Sequence, residues 1–543
     1  MELAALADRY ANNTTSRIVE FNTAGRRRSM TYAELGILVK LRAEHLRTIG
    51  VGTGDVVGLC AKNSIDWIVW DLATAEVGAL VQAFPDDTAV TDPDEFLARH
   101  GLTLLVLDSA EGIDHGSVTG LADPPNGQVP APARRRIAAT DLHSRVYSSG
   151  TSGRLKGLDI SRSGTEYVIG RFLECFTVTA VDRHLIFLPL ANYQQRLSVY
   201  CCLWTGADLV LAPYQRVFST LRSESPTFMI APPVFYDALW QLFSTSGGSR
   251  SLTEFLGGRI RFMITGMAPI RRATLEAFWD RGVKLLEAYG LTECGMIAWN
   301  VEDAYRLGSV GRLIDPESVE FQPDGELLIR RAAPLSLGYF TADSDPDGET
   351  FRPDGAIGTG DYGDLDADGF LTLKGRKKDV IALGNGQKVH PAEIESAFTG
   401  IAGVAEVVVV PTPQSNRLGA IVTPSTPADE TLRASIRHRV EQVNETLEPH
   451  KRVLSVLFSE RPLQSDPRFL TGNLKLSRPV ATAYFAELVA AADPPPPEPA
   501  HPVSGSVPPA APEPTQPVPE PVPEPAPEPV PVPEPVSGSG RSG

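Results

Sequence analysis

Short apolar runs alternate with longer amphipathic stretches along most of this chain. Val56–Cys60, Leu104–Leu107, residues 185–188 and Phe228–Ala231 are unbroken runs of apolar or small residues, the pattern of strands buried on both faces. Between such runs, residues 32–49 and 274–281 space their apolar positions at helical intervals. This alternation predicts an α/β fold with largely parallel sheets. The most apolar long run, 67–84, is interrupted by Asp71 and Glu76. A membrane span would bury both acids at high cost, so the run predicts a buried helix and no membrane span.

The texture changes after Gly363. Residues 364–369 (Asp-Leu-Asp-Ala-Asp-Gly) read as a turn and 370–374 as an alternating strand. Strand-like runs at 380–383 and 404–410 then flank a helix expected at 391–398. From Pro494 to Pro535 about every second residue is proline, which lacks the amide donor that helices and sheets need. The expected organisation is a large multi-sheet N-terminal domain (1–376), a small α+β mobile C-terminal domain (377–491) and a disordered, extended Pro-rich tail (492–543).

The 543 residues suggest two or more domains, and 42% hydrophobic residues suffice for a sizeable core. The net charge of −16 argues against a nucleic-acid partner, although seven of the acids lie in the Pro-rich tail. Five cysteines without a CxxC pair suggest reduced, mostly buried thiols and a cytoplasmic protein. The first residues show no basic segment followed by a long apolar one, so no secretory leader is expected.

Candidate chemistry begins at Tyr147-Ser-Ser-Gly-Thr-Ser-Gly-Arg-Leu-Lys-Gly157. Glycines let backbone amides approach a phosphate, hydroxyls add donors and Lys156 adds charge. The spacing is not that of a Walker loop, because Lys156 follows Gly153 by three residues and precedes a glycine. The segment closely resembles the phosphate loop of the adenylate-forming superfamily, which includes acyl-CoA synthetases, nonribosomal-peptide adenylation domains and luciferases. Ser152 stands at a usual threonine and Leu155 at a usual proline.

Further segments resemble that family's motifs in its own order, from about Thr31 to Arg478, in a style closest to long-chain acyl-CoA synthetases. The resemblance assigns nucleotide contacts to Ser148, Ser149, Gly150, Thr151, Ser152 and Gly153. It assigns others to Gly266, Met267 and Ala268, and to Tyr289, Gly290, Thr292, Asp361 and Arg376. Met267 replaces a common glycine. Glu293 would hold magnesium, a role that suits a carboxylate, and Asp361 would accept from both ribose hydroxyls. Lys475, Thr292, Glu293 and Lys156 are the implied catalytic set, with Lys378 at a hinge and Gly384 and Gly386 on the thiol side. Acids at the start of the helix expected from Pro391 read as structural, since they suit the helix dipole.

The resemblance implies ATP-dependent conversion of a small carboxylic acid to an acyl-adenylate, with magnesium, followed by transfer to CoA. One alternative delivers the acyl group to a carrier-protein phosphopantetheine or an amine; another, from a different class, is an inactive nucleotide-binding scaffold. Asn192 stands where many relatives carry histidine and cannot titrate. Asn192, Tyr193, Ala288 and Met296 are the expected acid pocket, and its mostly apolar character favours an aliphatic or aromatic acid over an amino acid.

Overall fold

Strands buried on both faces need helices to cover them, and the arrangement of the chain follows from that requirement. The computed structural model describes residues 1–122, 141–149, 155–246, 250–341, 345, 348–398, 401–412, 417–470 and 476–492. A nine-stranded sheet has six parallel strands at its centre, in the order Lys284–Leu291, Phe262–Thr265, Phe228–Ala231, Arg183–Ile186, Asp208–Leu211 and Arg17–Phe21. Antiparallel strands close both edges. A seven-stranded sheet runs Ser336–Tyr339, Leu155–Ser161, Leu142–Ser149, Leu80–Ala83, Val56–Cys60, Leu104–Leu107 and Val118–Gly120, its last five strands parallel. The expected strands at Val56–Cys60, Leu104–Leu107 and Phe228–Ala231 occur with those bounds, and the one near 185 is Arg183–Ile186.

One continuous core joins both sheets through the helices Tyr32–Thr48, Ile65–Glu76, Arg162–Phe176 and Tyr193–Thr205. The first starts at a capping box: the Thr31 side chain accepts from the Glu34 amide and the Glu34 carboxylate accepts from the Thr31 amide. The run at 67–84 is not one helix. The helix ends at Glu76, Gly78 turns the chain at φ +74°, and Leu80–Ala83 continues as a strand. Glycine tolerates that left-handed backbone without cost, and the strand and most of the helix are buried, so hydrophobicity alone does not mark the change.

Asp71 is enclosed rather than solvated: it is 3% exposed and paired with Arg196, which is 1% exposed. The Tyr200 hydroxyl donates to Asp71 at 2.7 Å, and Arg196 Nη1 donates to Ser144 Oγ at 2.7 Å. Three elements meet in this cluster: the helices Ile65–Glu76 and Tyr193–Thr205 and the strand Leu142–Ser149.

A four-stranded antiparallel sheet includes Ile357–Leu365 and Leu371–Arg376. Beyond it, the strands Val404–Pro411, Leu418–Pro424 and Val453–Phe458 pack cores of their own against the helices Pro391–Ala397, Glu430–Thr446 and Arg478–Ala492. The acids of the helix from Pro391 are indeed structural. Glu393 pairs with Lys451 at 2.9 Å, and Glu395 pairs with Arg478 at 2.7 Å while accepting from the Val409 amide. The whole Pro-rich stretch from Pro494 lies outside the described residues. Among the described residues, no helix is long and apolar enough to cross a membrane.

Candidate active site

The carboxyl ends of parallel strands are where α/β sheets gather polar groups. Leu142–Ser149 turns back into Leu155–Ser161 as an antiparallel pair, with Ser148 opposite Lys156. Gly150, Thr151, Ser152 and Gly153 lie outside the described residues, and Ser149 is described in backbone only. The neighbouring strand Ser336–Tyr339 pairs with this hairpin. It brings the Tyr339 ring to 4.7 Å from Lys156 Nζ. The Tyr339 hydroxyl donates to Glu293 Oε1 at 2.9 Å. Glu293 Oε2 takes no hydrogen bond among the described residues. Burial first, and then the Glu293 charge, push the Tyr339 hydroxyl well above its usual pKa, so it stays a donor. Behind the hairpin, a Cβ on Gly157 would stand 2.5 Å from the nearest Phe340 ring atom, so any side chain there would have to displace that ring.

Lys284–Leu291 carries Tyr289 and Gly290 to a turn holding Thr292 and Glu293, and the chain returns as Gly295–Trp299. Tyr289 is buried, and its hydroxyl donates to Asp361 Oδ2 at 2.6 Å. Arg376 sits directly opposite Asp361 on the adjacent strand, with Nε 3.0 Å from Oδ1. Both oxygens of this buried carboxylate are thereby oriented. Burial works against the Arg376 charge, but Asp361, Tyr289, Asp379 and Glu293 outweigh it and raise its pKa. Arg376 therefore feels both carboxylates. Lys156, Tyr339 and Glu293 form one set of contacts and Tyr289, Asp361 and Arg376 another, with Tyr289 and Glu293 four residues apart at the same strand end.

Gly266, Met267 and Ala268 follow the end of Phe262–Thr265, the strand parallel to Lys284–Leu291. A Cβ on Gly266 would stand 3.0 Å from the Ala288 carbonyl oxygen, so this backbone lies close beside the Tyr289 segment. Met267 adopts φ +72°, the left-handed conformation that a glycine would hold without strain. Thr265 Oγ1 is buried there without a hydrogen-bond partner among the described residues.

An apolar cavity adjoins these residues. Its walls are Val168, Ile169 and Phe172 from one helix and Gln194, Leu197, Ser198 and Cys201 from another. Strand residues Phe228, Ile230, Ile264, Ala288, Met296 and Trp299 complete it. Of the expected pocket residues, Ala288 and Met296 line this cavity, and Asn192 and Tyr193 are not among its walls. Asn192 caps the helix Tyr193–Thr205, its side chain accepting from the Gln194 amide. Tyr193 is buried away from the cavity, sharing a hydrogen bond of 2.7 Å with Thr165 and lying 5.0 Å below the Arg196 guanidinium. Nothing local marks Phe172, Ser198 or Trp299 as neighbours, since their elements are scattered along the sequence. Tyr339 also escaped sequence reasoning; its one signal is an aromatic pair, Tyr339-Phe340, closing a strand.

Lys378 is exposed in the short helical turn Lys377–Asp379. Gly384 and Gly386 lie in the exposed turn joining Ile381–Ala382 to Lys388–Val389, Gly386 at φ +82°. Lys475 lies outside the described residues.

Residues 7–340 match the family model described as AMP-binding enzyme, and 378–492 match the AMP-binding enzyme C-terminal domain. The chain is 27% identical to the long-chain-fatty-acid–CoA ligase FadD13 of Mycobacterium tuberculosis, over 82% of this chain and 91% of that one. It is 26% identical to a feruloyl-CoA synthase of Amycolatopsis, over 73% and 84%. In fold it is similar to ATP-bound MatB from Rhodopseudomonas palustris (TM-score 0.73, 24% identity, 90% and 99% covered). It is likewise similar to the anthranilate CoA ligase AuaEII in complex with anthranoyl-AMP (TM-score 0.73, 21% identity, 91% and 98% covered).

Proposed function

The chain belongs to the AMP-binding enzyme family, and from that premise we propose that it is an ATP-dependent acid–CoA ligase. A carboxylate oxygen attacks the α-phosphorus of ATP, the bond to pyrophosphate breaks, and an acyl-adenylate forms. The CoA thiolate then attacks the acyl carbon and AMP leaves. The relatives, named as CoA ligases acting on fatty and aryl acids, support CoA as acceptor and a small carboxylic acid as substrate. Asn192 gives no support to another acceptor, because its side chain is spent on a helix cap.

The observation that carries this reading is the convergence of Lys156, Glu293, Arg376 and Asp361 through Tyr339 and Tyr289. Adenylation gathers negative charge, and positive groups fixed beforehand stabilise that charge without reorganising during the reaction. Lys156 supplies one such charge. Asp361, oriented by Tyr289 and Arg376, offers a two-oxygen acceptor suited to the ribose diol. The bare backbone at Gly266 lets this segment lie close against Ala288, beside Tyr289. Glu293 fits magnesium because Tyr339 fixes one of its hard oxygens and leaves the other available. Bound there, magnesium would neutralise phosphate charge. We assign the first-step lysine to Lys475, the hinge to Lys378 and the thiol side to Gly384 and Gly386, within a domain from about residue 377 to 491.

The test is acid-dependent pyrophosphate release over a panel of carboxylic acids, followed by CoA addition and mass measurement of the thioester. Asp361→Ala should raise the KM for ATP about 10- to 100-fold, the worth of losing hydrogen bonds to a charged acceptor. Lys475→Ala should abolish pyrophosphate release while ATP still binds. Protein that binds ATP but releases no pyrophosphate with any acid refutes the proposal.

A further inference from the structure

Two consecutive arginines follow the strand Glu326–Ile329, and their surroundings differ. Arg330 is partly exposed and pairs with Glu320, at 2.7 Å, and with Asp354. Arg331 forms no ion pair among the described residues. Its Nε and Nη2 are buried and find no hydrogen-bond partner among them. A guanidinium is costly to bury without an anion. The Tyr167 ring, with its centroid 5.3 Å from Arg331 Cζ, offsets part of that cost. An apolar side chain in its place would carry no such cost, so stability alone does not account for an arginine here.

The hydrogen bond that Arg331 does make accounts for it better. Its Nη1 donates to the Cys294 carbonyl oxygen at 3.0 Å. Cys294 directly follows Glu293 in the turn between Lys284–Leu291 and Gly295–Trp299. The same stretch of chain holds that turn twice more. The Ser336 amide donates to the Glu293 carbonyl oxygen at 3.2 Å, and the Tyr339 hydroxyl donates to the Glu293 carboxylate at 2.9 Å. Gly295 comes next, at φ +83°, and a Cβ on it would stand 2.9 Å from Val168 Cγ2 on the helix Arg162–Phe176. The turn is thus packed against that helix and gripped by residues 331–339 at two carbonyls and one carboxylate. Arg331 is seated on the same helix through Tyr167, whose hydroxyl donates to Asp315 at 3.2 Å.

We propose that Arg331 is a positioning residue for magnesium: it fixes the Glu293–Cys294 turn so that the Glu293 carboxylate is aimed before the metal binds. This rests on the ligase reading, in which Glu293 holds the magnesium of the ATP complex, and adds to it a residue that touches neither metal nor nucleotide. Groups that orient a metal ligand typically change metal affinity or activity about 10- to 100-fold when removed.

The test is binding of α,β-methylene-ATP, which cannot release pyrophosphate, measured by calorimetry with magnesium and again with EDTA. The ratio of the two affinities isolates the contribution of the metal within each protein. Magnesium should tighten binding to the wild type. Arg331→Met should remove most of that enhancement, about ten-fold in affinity, and leave the affinity in EDTA unchanged. Arg331→Lys keeps a charged donor for the Cys294 carbonyl and should restore part of the enhancement. Should Arg331→Met not fold, Arg331→Gln, whose amide stops short of that carbonyl, replaces it in the comparison. A merely structural arginine would weaken both affinities together and leave the ratio at its wild-type value, and that result overturns the inference. So does a wild type indifferent to magnesium, or no recovery at all in Arg331→Lys. Acid-dependent pyrophosphate release is measured on the same proteins. An active wild type with an unmoved ratio in Arg331→Met overturns this inference alone. A wild type that binds the magnesium nucleotide but releases no pyrophosphate with any acid refutes the ligase reading, while the ratio still decides the role of Arg331.

Discussion

Asp71→Asn removes one charge from an ion pair that water does not reach. Arg196 is 1% exposed, and its other partners, Ser144 Oγ at 2.7 Å and Tyr200 Oη at 3.0 Å, are neutral. Burial disfavours the Arg196 charge, and the Asp71 carboxylate more than compensates, holding its pKa above the usual arginine value. Asparagine keeps the shape but leaves the guanidinium buried without an anion, a loss of about 3–5 kcal/mol in comparable pairs. The stability of a folded domain is only about 5–15 kcal/mol, so the loss is a large fraction of the total. At roughly 2 °C per kcal/mol for a domain of this size, thermal unfolding should begin about 6–10 °C lower. The double variant Asp71→Leu with Arg196→Met removes both charges and should recover most of the loss, because two apolar side chains of similar volume need no partner. Thermal melts of the wild type, Asp71→Leu, Arg196→Met and the double variant form the cycle, with Asp71→Asn measured beside them. A melting temperature for Asp71→Asn within 1 °C of the wild type, or a double variant as unstable as the two single losses added, would refute the reasoning.

Two further outcomes follow from the site and the sheet beneath it. Tyr339→Phe keeps the ring beside Lys156 but deletes the hydroxyl that fixes Glu293; pyrophosphate release should fall about ten-fold at saturating acid, with little change in melting temperature. Glu287 is lifted to about 7, chiefly by burial, with the Gly308 amide and Arg272 opposing. Its folded pKa exceeds its unfolded one, so the folded protein holds the extra proton between about pH 4.5 and 7 and loses stability as pH rises across that window. The loss is at most about 2 kcal/mol after allowing for partial exposure, and Glu287→Gln should flatten the dependence of denaturation midpoint on pH over that range.

How much of this was legible in the sequence depends on the range over which each feature is determined. The strand Val56–Cys60 and the cap at Thr31 and Glu34 are local, and a local pattern marks both. The residues proposed for the nucleotide sit in short motifs whose order along the chain is itself informative. The apolar cavity carries no such mark. Its lining comes from Val168 to Trp299 on two helices and several strands, and side chains brought together by folding leave no spacing to read. Asn192 stands in the right stretch for an acid contact, yet a helix begins there and its unpaired amides have the prior claim on that side chain. Asp71 is the reverse case. Its charge argued correctly against a membrane, but its partner lies on another helix 125 residues away, so its burial could not be foreseen.

That partner gives the helix Tyr193–Thr205 two separate duties. Arg196 and Tyr200, four residues apart, face Asp71 and Ser144, and Ser144 belongs to the strand that leads to the phosphate-loop hairpin. Gln194, Leu197, Ser198 and Cys201 form the other face and line the apolar cavity. A helix locked by a buried ion pair on one side holds its other face in register against Phe172, Phe228 and Trp299. Loosening the pair should therefore reach the acid before it reaches the nucleotide. In Asp71→Asn assayed well below its melting temperature, the KM for the acid should rise several-fold more than the KM for ATP, because Tyr289, Asp361 and Arg376 stand on strands that the pair does not touch. Equal rises in both constants would mean that the helix and the nucleotide strands move as one body, and the division of labour argued here would be wrong.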